Sequence, residues 1–246
     1  MKQRNIKVVV EYEGTDYGGW QRQKNAMTVQ QVLEEAIERI VQHKVTVLGA
    51  SRTDAGVHAL GQTANFHTSS AIPARRLLTA INSQLPADVV VRSLSDVEDS
   101  FHAQFHARSK TYRYTILNHR IRTALNRRCC HFVGPRLDVS AMRRAAKFLI
   151  GRHDFKAFES DADPQSNSVR TVTRASLKKT ERCLVFTIEG DGFLYNMVRA
   201  IVGTLIEVGR GKVTPDGFRD ILESRERTFA GPTAPAKGLC LVKVKY

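Results

Sequence analysis

The sequence predicts an α+β protein of two ferredoxin-like halves, residues 1–105 and 106–246, side by side as an extended mixed or antiparallel sheet with a central cleft. Three observations lead there. Patterned segments in the first hundred residues run β-α-β-β-α-β, which is the split βαβ plan. The second half repeats that order with longer loops and without detectable sequence repetition. At 246 residues, with 42% hydrophobic and 25% charged side chains, the chain is long enough for two moderate domains with full cores.

Residues 6–12 are short and β-branched, a buried strand. Glu13-Gly14-Thr15-Asp16-Tyr17-Gly18-Gly19-Trp20-Gln21-Arg22-Gln23 follows. Its rings, amides and Arg suit base stacking and phosphate contacts, and equally suit a packed surface loop. No G-x-G-x-x-G opens a helix there, so it is not a dinucleotide site. Thr28, with Gln31 three residues on, then begins a helix in a capping-box pattern. Val29, Val32, Leu33, Ala36, Ile37, Ile40 and Val41 form its apolar stripe. Glu34, Glu35 and Glu38 read as its solvated face. Residues 44–48 and 62–67 read as strands. Pro73 opens a second helix through Leu85, and residues 89–94 make another strand.

A polar and aromatic connection, residues 95–109, ends the half. It holds Phe101-His102-Ala103 and the echo Phe105-His106-Ala107. Two His four apart can hold a metal given a third ligand and a Glu, but no H-E-x-x-H is present, so they read as packing or phosphate contacts. In the second half, residues 110–117 are a strand of alternating Tyr, Arg and Thr. A helix starts at Asp138 or Ser140 and runs to Ile150, stopped by Gly151. Residues 152–170 are a long loop rich in Asp, Ser and Asn, of the kind that is mobile or functional. Residues 171–179 and 183–189 form a hairpin, 193–208 a helix, Thr214 and Pro215 begin a short extra helix, and 238–246 alternate as a last strand.

Charge narrows the function. Thirty-eight Lys and Arg against 24 Asp and Glu give a formal +14, which suggests a polyanionic partner, nucleic acid first. The four Cys form no C-x-x-C and suit a reducing cytoplasm. The first ten residues do not read as a signal peptide, and no run approaches the ~20 apolar residues of a membrane span.

Chemistry concentrates in Gly49-Ala50-Ser51-Arg52-Thr53-Asp54-Ala55-Gly56-Val57-His58-Ala59-Leu60-Gly61-Gln62, between two predicted strands. A tight turn would need far fewer residues, and small neighbours let a ligand approach the backbone. Read locally, it is also a turn in which Asp54 bonds its own backbone and Gly56 takes positive φ. The string Ala50 to Ala59 resembles the active-site loop of tRNA pseudouridine synthases of the TruA type. Four further stretches resemble the same family in the same order. They are Tyr12-Glu13-Gly14-Thr15 with Gly19 to Gln23, Lys110-Thr111-Tyr112-Arg113-Tyr114, Phe193 to Arg199 with Val202-Gly203-Thr204-Leu205, and Thr233 to Leu239. Ser51 departs from the family's usual Gly.

The resemblance implies isomerisation of uridine to pseudouridine at positions 38, 39 and 40 of the anticodon stem-loop of tRNA, with no cofactor and no metal. It implies that Asp54 is the nucleophile on a flipped-out nucleotide and that Arg199 is its charge partner. Tyr112 would stack on the target base and assist proton transfer at its carbon. Arg52 would enter the vacated space, Leu239 would form an apolar wall, and His58 would belong to the substrate-binding set. It further implies a cytoplasmic homodimer with tRNA lying across both subunits. A non-catalytic RRM-like RNA-binding protein is the alternative, although the RRM octamer signature is absent. A glycosidase would need a second acid near Asp54 and would leave the basic surplus unexplained.

Overall fold

A computed structural model of the chain describes residues 3–160 and 167–246, and it is mixed α and β throughout. Contacts divide it into two compact units, Met1–Arg108 with Leu241–Tyr246, and Ser109–Cys240.

The first unit begins with β1, Arg4–Tyr12, whose alternate residues Ile6, Val8 and Val10 are fully buried. Helix α1, Val29–Val41, buries Val29, Leu33, Ala36, Ile37 and Val41, as its stripe predicts. Thr28 Oγ1 accepts the Gln31 N–H at 3.3 Å, while the Gln31 amide turns instead to Glu35. Only half of the expected reciprocal cap is made. The acidic face is not simply solvated. Glu34 is 5% exposed and accepts hydrogen bonds from the Val47 N–H and the Gln30 amide, and Arg22 pairs with it at 2.9 Å. Glu38 accepts the Val45 N–H. These carboxylates take the donors that a strand over residues 44–48 would offer a neighbour. Strand β2 is therefore only Leu48–Gly49.

Strand β3, His58–Thr68, runs four residues further toward the Asp54 loop than expected. Helix α2, Ala74–Gln84, buries Leu77 and Ile81, with Pro73 just outside it. Asn82 exchanges two hydrogen bonds with the Val91 backbone of β4, Val89–Val97. In this unit β4, β1, β3 and β2 follow in that order, and these three pairings are antiparallel.

The second unit starts with β5, Ser109–Asn118, and the short β6, His131–Val133, which pairs with it in parallel and was not expected. Helix α3, Val139–Lys147, is capped by Asp138, which accepts the Ala141 N–H at 2.9 Å. Residues 148–150 continue as tighter turns rather than α-helix. Gly151 then opens β7, Gly151–Asp154. The segment expected to be a loop thus contributes a strand, and Phe155, Ala157 and Phe158 beyond it are core residues. Residues 161–166 of that segment lie outside the described residues. Strands β8, Val169–Lys179, and β9, Cys183–Gly190, form the hairpin.

Helix α4, Met197–Gly209, is buried on nearly every side. It starts four residues later than the apolar pattern suggests, because Asn196 sits in left-handed backbone at φ 59° and ends the irregular stretch from Phe193. Helix α5, Pro215–Ser224, is capped by Thr214. The last strand, β10, is Leu239–Lys245. The second unit's strands run β6-β5-β9-β8-β7, while β10 from Leu241 onward belongs to the first unit and lies next to β3.

Candidate active site

The loop between β2 and β3 is clamped from below by the glycine-rich stretch after β1. Thr53 is the grip. Its carbonyl accepts the Trp20 N–H at 3.0 Å, and its hydroxyl lies 2.8 Å from the Tyr12 hydroxyl. Gly56, at φ 77°, donates its N–H to the Tyr17 carbonyl, and Val57 N–H closes a turn onto the Asp54 carbonyl at 3.1 Å. His58 Nδ1 accepts the Gly14 N–H at 3.0 Å. On the other limb, Ala50 N–H bonds the Thr63 carbonyl and the Gln62 amide bonds the Ser51 carbonyl.

Close packing explains the glycines. A Cβ on Gly19, which has φ 94°, would lie 2.5 Å from the Thr53 carbonyl oxygen. One on Gly14 would collide with the Val57 carbonyl, and one on Gly49 with the Trp20 indole. Trp20 is 1% exposed and Tyr17 is buried beside it. Between stacking platform and packed loop, the Tyr12–Trp20 rings are therefore packing. Tyr17's phenol donates to Asp88 at 2.7 Å, and burial together with that carboxylate pushes its pKa up.

Upon this base Thr53 and His58 are buried, Arg52 is exposed and Asp54 is half-buried. The loop thus offers a carboxylate and a guanidinium on a backbone that is fixed at Thr53, Asp54, Gly56 and His58. His58 is a brace between loop and base rather than an outward-facing group. Gln62 is fully buried, and its Oε1 has no hydrogen-bond partner among the described residues.

The second unit gathers the other named residues around the segment 233–239. Arg199, in the first turn of α4, donates from Nε to the Ala234 carbonyl at 2.8 Å and from Nη1 to Asn196 Oδ1 at 2.6 Å. The Ala234 N–H returns to the Arg199 carbonyl at 3.1 Å. Tyr114 is fully buried, donates its hydroxyl to the Pro235 carbonyl at 2.8 Å, and packs against Gly238. Burial pushes the Tyr114 phenol up, with Arg199 pulling the other way. Two residues before it, the Tyr112 ring meets Phe193 edge-on at 5.1 Å. Leu239, buried, begins β10 immediately after Gly238. Three of the stretches singled out in the sequence therefore converge within this unit.

Sequence reasoning missed Tyr114, Asn196 and the Tyr12–Thr53–Trp20 clamp. The glycines at 14, 18, 19 and 49 were the available signal for close backbone approach. His102 and His106 are spent locally, their Nδ1 atoms accepting backbone N–H groups at 3.2 to 3.4 Å. Among the described residues no three His, Cys, Asp or Glu side chains cluster as a metal site. Nor is any described helix long and apolar enough to cross a membrane.

Comparison with known proteins agrees with the motif reading. A family model described as tRNA pseudouridine synthase matches residues 8–106 and 145–246. The tRNA pseudouridine synthase A of Acetivibrio thermocellus is 51% identical over 243 residues, which is 99% of this chain and 100% of that one. Proteins of the same name from Thermoanaerobacter sp. and Clostridium acetobutylicum are 50% and 46% identical with the same coverage. With a family model covering most of the chain and full-length relatives near half identity, the chain belongs to the tRNA pseudouridine synthase family.

Proposed function

We propose that this enzyme isomerises uridine to pseudouridine in tRNA, acting on positions 38, 39 and 40 of the anticodon arm, with Asp54 as its nucleophile. The reaction breaks the bond from ribose C1′ to the base nitrogen, turns the base, and rejoins C1′ to a base carbon. The carbon's proton is lost and the nitrogen gains one, so atoms balance without a cofactor. A nucleophilic carboxylate divides such an exchange into two easier steps. The target nucleotide must leave its stack to be reached, which costs a few kcal/mol. Arg52, exposed beside Asp54, fills the vacated space and bonds phosphate, which offsets part of that cost.

In this reading Arg199 serves as the charge partner of the nucleophilic carboxylate. Tyr112 stacks on the base and assists removal of its carbon-bound proton, and Leu239 forms an apolar wall over it. His58 holds the loop through Gly14. The working form is a cytoplasmic homodimer with the tRNA across both subunits.

The observation that carries this reading is the clamp on Thr53. It fixes the backbone on either side of a half-buried Asp54, as preorganised chemistry requires and a simple turn does not. Asp54→Asn keeps the side-chain shape and removes the nucleophilic charge. Pseudouridine formation on an unmodified tRNA transcript should stop, while tRNA affinity stays within a fewfold of parental, because phosphate contacts supply most of the affinity. Turnover at near the parental rate would make Asp54 a turn residue and the protein's RNA binding a separate matter.

A further inference from the structure

Two cations in the second unit lie close together with no carboxylate partner among the described residues. Lys110, at the start of β5, is half-buried and pairs in register with Gly190 of β9, which in turn pairs with Val172 of β8. Arg170 lies two residues before Val172, on the same side of β8. Glycines occupy the ground between them. A Cβ on Gly192 would meet Arg170 Nε at 3.2 Å, and one on Gly190 would meet the Thr171 carbonyl at 2.8 Å and the Phe193 ring at 3.4 Å. Arg170 Nη1 is held by the Asn167 and Val169 carbonyls, each at 2.7 Å. No carboxylate pairs with Lys110 or Arg170 among the described residues. Asp191 accepts the Thr171 N–H, and Glu189 accepts the Ser109 hydroxyl. Burial first, and then the charge of Arg170, push the Lys110 ammonium below the ordinary lysine range.

A half-buried cation beside a second cation destabilises the unit that carries it. An anion held by both would satisfy the two charges at once. Along β5, Lys110 stands two residues from Tyr112 on the same face, about 6.6 Å away. That is the scale of one nucleotide.

We propose that Lys110 and Arg170 form a phosphate clamp that grips a backbone phosphodiester next to the target uridine while the base lies against Tyr112. The proposal rests on the reading of the chain as an enzyme of RNA. It adds a positioning site, which turns the flipped nucleotide by its phosphate as well as by its base.

Lys110→Met, Arg170→Met and the double variant remove charge and keep bulk. Binding of an unmodified tRNA transcript should be titrated across salt, with KM and kcat measured beside it. Each single variant should lower the log–log salt slope by about 0.7 to 0.9. Each should raise KM about tenfold or more, with a smaller loss in kcat. Lys110→Arg should restore most of the loss. Lys110→Met should melt no lower than the parent, whereas a residue with only a structural role would melt lower and keep the parental slope.

A transcript with a neutral methylphosphonate on one side of the target uridine should bind the parent more weakly and the double variant no differently. Parental KM and slope in the variants, or equal weakening of parent and variant by the neutral linkage, would overturn the clamp. Uridine 5′-monophosphate is the competing occupant. If it protects the parent from heat but not the double variant, while their salt slopes on tRNA coincide, the site serves free nucleotides and the proposal fails. A parent that binds tRNA with the expected slopes yet forms no pseudouridine would refute the enzymatic reading and leave the clamp standing.

Discussion

Gly19→Ala tests whether the Asp54 loop is held from below. Gly19 occupies left-handed backbone at φ 94°, and a Cβ there would lie 2.5 Å from the Thr53 carbonyl oxygen. Left-handed backbone costs an alanine about 1–2 kcal/mol. A backbone forced aside by overpacking costs about 1–3 kcal/mol more. The sum, roughly 2–5 kcal/mol, is a large share of the ~5–15 kcal/mol that stabilises a typical domain. Gly211→Ala is the control, because Gly211 has φ 75° but nothing within 4 Å of its would-be Cβ. It should feel the dihedral cost alone. At about 2–4 °C per kcal/mol for a chain of this length, Gly19→Ala should melt roughly 5–20 °C lower and Gly211→Ala only a few degrees lower. Pseudouridine formation separates them further. Moving the Thr53 carbonyl displaces Asp54, so kcat should fall by about 100-fold or more in Gly19→Ala, since a misplacement of ~1 Å has that effect. Equal melting of the two variants, with parental kcat in Gly19→Ala, would refute the clamp.

Arg199→Ala should lose turnover as Asp54→Asn does. It should also lose about 1–3 kcal/mol of stability, because the Ala234 carbonyl and Asn196 Oδ1 lose their donor; unchanged unfolding in urea would contradict this. Glu34→Ala should speed hydrogen exchange at the Val47 amide by at least tenfold, since that N–H loses its acceptor. Parental protection at Val47 would sink the reading of Glu34 as a strand-blocker. Glu207 is desolvated by burial, yet Lys212 and Arg210 hold its pKa below the ordinary carboxylate value. A depressed folded value means that its contribution is complete above the unfolded pKa and is lost as pH falls through the folded one. Glu207→Gln should therefore destabilise the protein at pH 7, and by progressively less as pH falls below the ordinary carboxylate range; a loss that does not shrink on acidification would show that the effect is not ionic. Finally, tRNA affinity should fall by about two decades or more between 50 and 200 mM salt, and a flat response would remove the basic surplus as an RNA footprint.

The elements were legible wherever a single segment contained its own reasons. Apolar spacing in α1 and α2, the β-branched run of β1, and the Asp138 and Thr214 caps are local signals, and the helices and strands follow them. The failures are places where a distant residue decides. Residues 44–47 have strand composition, but Glu34 and Glu38 of the preceding helix take the Val47 and Val45 donors. The 193–208 pattern is helical throughout, yet Asn196 in left-handed backbone delays the helix to Met197. Phe155 and Phe158 lie in a stretch whose Asp, Ser and Asn residues suggest solvent, although both rings are fully buried. Of the candidate site, Asp54 and Arg52 stood out through the resemblance of Ala50 to Ala59 to a family motif, since the loop's composition alone reads as well as a turn. The Trp20–Thr53 contact did not stand out, because rings among glycines, Gln and Arg suit an RNA platform as well as a buried wedge.

The six residues Leu241–Tyr246 count with the first unit, against β3, although all of Ser109–Cys240 separates them from it. On a ribosome this imposes an order. Strand β3 emerges with β1 beside it and the two residues of β2 on its other side, while the rest of that edge, which β10 will cover, stays bare until the second unit has been made. At about 5–20 residues per second that wait is on the order of ten seconds. During it, the nascent first unit presents an open strand edge to neighbouring chains on the same message, the situation that invites edge-to-edge association. A step that waits for β10, rather than sequential folding of two finished pieces, should therefore complete the first unit. A fragment cut after Arg108 should be more prone to aggregation than its buried core would suggest, and a synthetic Leu241–Tyr246 peptide supplied in trans should reduce that tendency.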